Sequence, residues 1–161
     1  QILPETQRIV FEKRVSVPVN AHFVGDSRAL GQMLVNILSN AVKYSPADST
    51  IYIAAELDDT GAMRLRFRDE GTGMTEAEIQ RAAEPFERGQ AGDAVKQKGT
   101  GLGLYLCAKV MMLFGGTLKI DSAEGKGTTV TLTFPPSRTI LPKTVATFPP
   151  PDLPEQPTPR P

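Results

Sequence analysis

A helix with two faces is encoded by one stretch of the chain, Asn36-Ile37-Leu38-Ser39-Asn40-Ala41-Val42-Lys43-Tyr44-Ser45. Its apolar residues recur at helical spacing and predict one buried face. Asn36, Asn40 and Lys43 lie at i, i+4 and i+7, so they form a polar stripe on another face. Amide oxygens are hard, neutral ligands for Mg²⁺, and a lysine ammonium attracts phosphate. An ordinary solvated helix face is the alternative, and the stretch alone does not decide between them.

The sequence on both sides of this stretch predicts an α/β domain. Asp26 or Ser27 can cap the helix, which would continue to about Lys43. Alternating apolar residues predict an opening strand near residues 9–17. Further strands are predicted at Thr50–Leu57, Met63–Arg68, Thr117–Ser122 and Thr128–Phe134, with helices at 75–81 and 102–114. Short turns between neighbouring strands favour a two-layer α/β sandwich, with a mixed, mostly antiparallel five-stranded sheet packed on about three helices.

An acidic and glycine-containing turn, Asp69-Glu70-Gly71-Thr72-Gly73-Met74, follows one of the predicted strands. A carboxylate at the end of a strand can accept a hydrogen bond from the amino group of adenine. The glycines allow the backbone to approach a flat base closely. A simple turn that caps the next helix is the alternative interpretation.

A second glycine-rich stretch, Gly99-Thr100-Gly101-Leu102-Gly103-Leu104, precedes a strongly apolar helical pattern. Converging backbone amides and the positive end of a helix together make a phosphate cradle, and Lys96 and Lys98 could add charge. The stretch lacks the Gly-Lys-Ser/Thr of a Walker A loop, and it follows a polar loop where a dinucleotide fingerprint would follow a strand. A flexible hinge is the alternative.

The overall composition excludes some classes of function. Eighteen basic and 18 acidic residues give zero net charge, which excludes the strongly basic surface typical of nucleic-acid binding. Cys107 is the single cysteine, so no disulfide can form within the chain; a reduced, cytosolic setting fits, with Cys107 packed inside its apolar helix. No apolar run approaches the roughly 18 residues of a membrane span, and we expect no membrane contact by this domain.

Proline content divides the chain into regions. Ten of the 14 prolines lie between Pro135 and Pro161. Proline lacks an amide donor and fixes φ, so residues 136–161 are predicted to be a disordered tail, with a proline-rich docking segment as the alternative. The globular domain is predicted at residues 8–135, and residues 1–7 would end a linker from an upstream region of a longer protein.

Four segments, taken in order, resemble the conserved boxes of sensor histidine kinases. Residues 36–45 resemble the N box and residues 69–74 the first glycine box. Glu84-Pro85-Phe86-Glu87-Arg88-Gly89 resembles the F box, and residues 98–104 match the second glycine box. The turn at residues 125–129 also fits. The resemblance covers about residues 8–135 and implies the Bergerat ATP-binding fold of gyrase, heat-shock chaperone, mismatch-repair and histidine kinase families.

The resemblance also implies roles for individual residues. Asn40 would bind Mg²⁺ with Asn36 close by, Lys43 and Arg88 would act at the phosphates, and Asp69 would accept the adenine amino group. Residues 86–98 would form a mobile ATP lid. The other residues implied at the ATP site are Tyr44, Gly71, Gly73, Met74, Phe86, Lys98, Gly99, Thr100, Gly101, Leu102, Gly103, Leu104 and Thr128.

The resemblance further implies phosphoryl transfer to a histidine rather than hydrolysis. ATPases of this superfamily carry a glutamate where this chain has Asn36, and an asparagine cannot act as a general base at neutral pH. His22, the single histidine, is not followed by the acidic residue of a phosphoacceptor motif. The acceptor would therefore lie on an upstream dimerisation domain of a homodimeric parent, and this fragment alone would not autophosphorylate. A response regulator receiver domain would be the next partner, in the cytoplasm, even if the parent is anchored in a membrane.

Two alternatives from other functional classes stay open at the level of sequence. One is a degenerate module that binds nucleotide or a partner without transferring phosphate, although the intact boxes argue against it. The other is an anti-sigma-type protein serine kinase on the same fold. A histidine-bearing helical hairpin upstream would favour the histidine kinase, and its absence would favour the serine kinase.

Overall fold

The computed structural model describes residues 10–17, 21–83 and 102–141. Within these ranges, helices cover one face of a five-stranded sheet. The helices are α1 (Ser27–Tyr44), α2 (Glu76–Ala83) and α3 (Leu102–Leu113). The strands are β1 (Val10–Ser16), β2 (His22–Phe23), β3 (Thr50–Leu57), β4 (Met63–Arg68), β5 (Thr117–Ser122), β6 (Thr128–Phe134) and β7 (Thr139–Ile140).

The sheet is mixed, as the sequence predicts. Its order is β1-β3-β4-β6-β5. Strand β1 runs parallel to β3, and the three other pairings are antiparallel. The predicted two-layer sandwich of five strands and three helices is therefore confirmed for the described residues. A separate two-stranded ribbon, formed by β2 and β7 in antiparallel register, was not predicted.

The predicted start of the disordered tail at residue 136 is wrong. Pro136–Arg138 form a 3-10 turn, and Thr139 and Ile140 pair with Phe23 and His22. The Arg138 guanidinium Nε donates to the carbonyl oxygen of Phe114 at 3.0 Å. Proline is tolerated in the first turn of a helix, where an amide donor would be unsatisfied anyway. Proline content alone therefore predicted the end of the ordered domain too early. Residues 1–7 and 142–161 lie outside the described residues.

The core lies between α1, α3 and the inner face of the sheet. Alternate residues of β6 point to this face, because side chains alternate along a strand. The buried cluster comprises Met33, Ile37, Phe67, Cys107, Met111, Phe114, Val130, Leu132 and Phe134. The opposite face is polar: Glu56 accepts from Arg64 and Arg66, each at 3.0 Å. One apolar and one polar face explain why helices cover a single side.

Helix α1 begins and ends where its sequence requires. The Asp26 carboxylate caps the N-terminus by accepting from the amides of Arg28 at 2.8 Å and Ala29 at 3.2 Å. Ser45 has extended backbone angles, as expected for a residue before proline. Since the helix buries Met33, Ile37 and Ala41, the stripe at residues 36, 40 and 43 lies on another side.

Helix α3 stops at a pair of glycines, as predicted. The amide of Gly116 donates to Met111 at 2.9 Å and that of Gly115 to Met112 at 3.0 Å. This is a Schellman motif, and Gly115 supplies its left-handed residue at φ 72°. Although α3 is apolar on most sides, no helix in the described ranges is long and apolar enough to cross a membrane.

Candidate functional site

Chain topology brings several loops together at one end of the sheet. Strand β4 ends at Arg68, β5 ends at Ser122 and β6 begins at Thr128, and these three strands are neighbours. The C-terminus of α1 joins them, because the Thr72 amide donates to the carbonyl oxygen of Tyr44 at 3.2 Å. Residues 69–74 and 122–128 are called the loop cluster below.

Asp69 lies at the centre of the loop cluster. It is 9% exposed. Its Oδ1 accepts hydrogen bonds from the amides of Gly71 at 2.9 Å and Thr128 at 3.0 Å. Burial raises the pKa of this carboxyl, and the two amide donors oppose that shift. Within the described residues both bonds go to Oδ1, so Oδ2 is left to accept from a ligand.

Two glycines allow the loops of this cluster to touch. Gly73 has φ 67° and Gly127 has φ 78°, a left-handed region that favours glycine. A Cβ on Gly73 would overlap the carbonyl oxygen of Ala123, and one on Gly127 would overlap that of Asp69. The two loops therefore pack backbone against backbone.

Gly71 is also required, although for another reason. A Cβ at this position would lie 2.8 Å from Asp69 Oδ1 and 2.8 Å from the carbonyl oxygen of Tyr44. A side chain here would displace the buried carboxylate or the end of α1. The predicted role of Gly71 in shaping a pocket beside Asp69 is compatible with this placement.

Ser122 joins the loops and was missed by the sequence analysis. Its Oγ accepts from the Met74 amide at 2.9 Å and donates to the carbonyl oxygen of Gly127 at 2.9 Å. The Thr128 hydroxyl lies 2.9 Å from the same oxygen. The hairpin turn places residues 122 and 128 opposite each other, so the sequence contained the signal for that one contact. The contact with Met74 depends on tertiary packing.

Asn36, Asn40 and Lys43 together form the helix stripe, the polar side of α1. Asn36 and Asn40 are half-buried, and the start of α3 lies against them. A Cβ on Gly103 would lie 3.6 Å from Asn40 Nδ2 and 3.9 Å from the side chain of Asn36. Asn36 Oδ1 accepts from Gln32 Nε2 at 3.3 Å. The N-terminus of α3 and the two amides therefore face each other, which is compatible with the predicted phosphate and cation site.

Lys43 and Tyr44 connect the helix stripe to the loop cluster. Lys43 Nζ donates to Tyr44 Oη at 3.2 Å and lies 4.9 Å from the centroid of the tyrosine ring. Tyr44 is 46% exposed, so its ring has surface available for a further contact. Its carbonyl oxygen accepts from the Thr72 amide, which places the backbone of Tyr44 next to the loop that contains Asp69.

Several predicted site residues belong to the segment between α2 and α3. The expected lid and the start of the second glycine box lie outside the described residues. The predicted site residues concerned are Phe86, Arg88, Lys98, Gly99, Thr100 and Gly101. Leu102 is the first residue of α3. The side chain of Leu104 packs against the core cluster, so only its backbone could meet a ligand.

The described ranges contain no group of three or more His, Cys, Asp or Glu side chains arranged to hold a metal ion. A cation at the helix stripe would therefore depend on amide oxygens and on ligands brought by the bound molecule. Mg²⁺ commonly takes one or two protein ligands and completes its shell with waters and phosphates, so Asn36 and Asn40 fit that chemistry.

His22 and Cys107 lie away from the loop cluster. His22 is exposed in the β2–β7 ribbon, and the ring of its neighbour Phe23 packs edge-to-face on Phe134 at 5.0 Å between ring centroids. Phe134 ends the strand that Thr128 begins, so about 20 Å of strand separates the Phe23 contact from the loop cluster. Cys107 is buried as predicted, and its Sγ lies 3.6 Å from the carbonyl oxygen of Met33. Burial raises the pKa of this thiol to about 11, so it is unreactive at neutral pH.

Comparisons with known sequences agree with this architecture. The profile of the family described as histidine kinase-, DNA gyrase B-, and HSP90-like ATPase matches residues 25–138. The cell-division control histidine kinase PdhS of Brucella anthropi is 35% identical over 125 residues, and PdhS of Brucella canis is 34% identical over the same length. Each match covers 73% of this chain and 12% of the relative, so the chain spans a small part of those proteins.

Solved structures of sensor histidine kinases have a similar fold. The mycobacterial sensor histidine kinase MprB superposes with a TM-score of 0.63 at 30% identity, covering 79% of this chain and 81% of that one. Full-length ShkA in complex with AMPPNP superposes with a TM-score of 0.64 at 28% identity, covering 79% of this chain and 25% of that one.

Proposed function

The chain belongs to the family of histidine kinase-, DNA gyrase B- and HSP90-like ATPases, as a domain of the histidine kinase type. From this premise we propose that it binds Mg²⁺–ATP and donates the γ-phosphoryl group to a histidine elsewhere in a parent sensor kinase. The buried Asp69 carboxylate, oriented by two backbone amides, is the observation that carries the proposal.

The loop cluster would bind the adenine. Asp69 Oδ2 would accept a hydrogen bond from the 6-amino group, while Gly71 and Gly73 shape the walls of the pocket. The half-exposed ring of Tyr44 would pack on the base. The buried carboxylate would accept from the amino group of the base, and the closely packed backbone would contact its flat, neutral ring. The complex of ShkA with AMPPNP supports nucleotide binding by a similar domain.

The helix stripe would hold the phosphates and the cation. Asn40 and Asn36 would supply amide oxygens to Mg²⁺, and Lys43 would approach a phosphate. Mg²⁺, when bound, would neutralise charge on the phosphate oxygens during transfer. Gly103 allows α3 to approach Asn40 closely, and the positive end of α3 favours an anion nearby. Arg88 and the residues 98–101 would complete this part of the site.

Asn36 supports transfer to a protein over hydrolysis. Its side chain lies near Asn40 and Gly103, where a glutamate could activate water. An amide oxygen has no useful basicity at neutral pH. The exposed His22 lies on the opposite end of the domain from the loop cluster, so the acceptor would come from a separate, histidine-bearing dimerisation domain of the parent. A response regulator would then receive the phosphate, in the cytoplasm where ATP is available.

The proposal is tested with γ-labelled ATP. We expect the 161-residue chain to bind Mg²⁺–ATP but to gain no label alone, and to label a parent segment carrying the acceptor histidine when that segment is added. Phosphohistidine loses its label in acid, whereas phosphoserine keeps it. Label on the chain itself that disappears in His22→Ala would contradict the proposal. Acid-stable label on a partner would instead favour the serine kinase, and binding without any transfer would favour the degenerate module.

A further inference from the structure

The hydrogen bonds around Ser122 leave one consistent arrangement of protons. A hydroxyl has one proton to donate and two lone pairs that accept. The Met74 amide can only donate, so it occupies one lone pair of Ser122 Oγ. The carbonyl oxygen of Gly127 can only accept, so it takes the Ser122 proton. The Thr128 hydroxyl, 2.9 Å away, must therefore donate to the second lone pair.

The reverse arrangement is unfavourable. If Ser122 donated to Thr128, its oxygen and the Gly127 carbonyl oxygen would face each other at 2.9 Å with no proton between them. That contact would leave a polar group unsatisfied in a partly buried position, which costs more than a hydrogen bond gains.

The direction of this bond decides what Thr128 can offer to a ligand. Once its proton is committed to Ser122, Thr128 Oγ1 has only lone pairs left. The amide of the same residue donates to Asp69 Oδ1 at 3.0 Å, so Thr128 adjoins the buried carboxylate. The ionised Asp69 carboxylate is also an acceptor. Both groups would therefore repel an acceptor on a bound base.

We propose that Ser122 is a positioning residue that commits the Thr128 proton away from the pocket, so that the pocket offers acceptors alone and selects a 6-amino purine over a 6-oxo purine. This inference rests on the proposed binding of ATP at the loop cluster. Ser122 itself touches no base. It acts through Thr128, and its side chain also holds the loop by accepting from the Met74 amide.

The test compares the affinities of Mg²⁺–ATP and Mg²⁺–ITP, since ITP carries a 6-oxo group. The wild-type chain should bind ATP more tightly than ITP. In Ser122→Ala the Thr128 hydroxyl is free to donate to the 6-oxo oxygen, so the ratio of the two affinities should fall about fivefold. A purely structural role would weaken both nucleotides equally and leave the ratio unchanged.

Thr128→Val provides a second, independent variant, because it removes the hydroxyl and keeps the shape. The ratio should also fall, and adding S122A to T128V should change it no further. Ser137→Ala and Thr131→Val are matched controls outside the loop cluster and should keep the wild-type ratio. If S122A does not fold, T128V alone decides the question. An unchanged ratio in either folded variant overturns the inference, and a wild-type chain that binds neither nucleotide overturns the proposed function as well.

Discussion

The loop cluster and the helix stripe are two halves of one candidate site, and they are built from different parts of the chain. In the loop cluster the important contacts involve the backbone: amides of residues 71 and 128 hold Asp69, and glycine φ angles allow the loops to touch. In the helix stripe the important groups are side chains on a regular helix, at Asn36, Asn40 and Lys43.

This difference separates stability from binding. A substitution in the loop cluster changes the packing of three strands and two loops, so it affects folding as well as any ligand. A substitution in the helix stripe leaves the α1 backbone and the apolar face of the helix intact. We therefore expect loop-cluster variants to differ widely in stability according to backbone geometry, and stripe variants to differ in ligand binding alone.

Gly73→Ala should have the largest effect. Its Cβ would overlap the carbonyl oxygen of Ala123 at a positive φ, so the two loops must separate. We expect a loss of about 3–4 kcal/mol in the free energy of unfolding, measured with urea. Gly125→Ala is the matched control, because Gly125 has a similar φ of 71° but a Cβ added there would meet nothing within 4 Å. It should lose only about 1 kcal/mol. Equal losses would show that the φ angle, and not the close packing, makes the loop cluster intolerant.

Asp69→Asn should affect binding strongly without a matching loss of stability. The amide has the shape of the carboxylate, and its oxygen can still accept from Gly71 and Thr128. Its NH₂ group would face the adenine amino group, so we expect about a 100-fold loss of ATP affinity by calorimetry. Asp59→Asn, in the exposed turn between β3 and β4, should bind as the wild type does. Unchanged ATP affinity in D69N would show that the loop cluster does not bind the adenine.

Asn40→Ala tests the helix stripe. Loss of one amide ligand should weaken binding of Mg²⁺–ATP about tenfold, while ATP affinity measured in EDTA should stay the same. Stability should hardly change, since alanine favours a helix. Ser39→Ala, one residue away on the exposed side of α1, is the control. An equal loss with and without Mg²⁺ would mean that Asn40 contacts the nucleotide and does not ligate the cation.

The sequence predicted the helix stripe better than the loop cluster. Helical periodicity fixes which residues share a face, so Asn36 and Asn40 could be placed together from spacing alone. The β5–β6 hairpin places Ser122 opposite Thr128, but Ser122 was not among the predicted site residues. The contact of Ser122 with Met74 spans 48 residues, and no local pattern encodes it. The β2–β7 ribbon was missed for the same reason, because its two-residue strands are too short to show a periodicity of their own.

The pH dependence of stability should show the smallest effect, with opposite signs for two carboxylates. Burial raises the pKa of Asp69 above its usual 3.8, so the folded chain holds this proton more tightly than the unfolded chain. Acidification from above the raised pKa towards 3.8 should therefore favour the wild type relative to D69N. Hydrogen bonds from Thr75 lower the pKa of Glu78 below 4.5, so acidification below that value should cost the wild type stability relative to Glu78→Gln. Urea unfolding of all three proteins between about pH 3.5 and 7 measures both differences. The same sign for both variants would mean that the environment of Asp69 stabilises its charge, as the exposed cap at Glu78 does, and that the loop cluster is more solvated than its packing indicates.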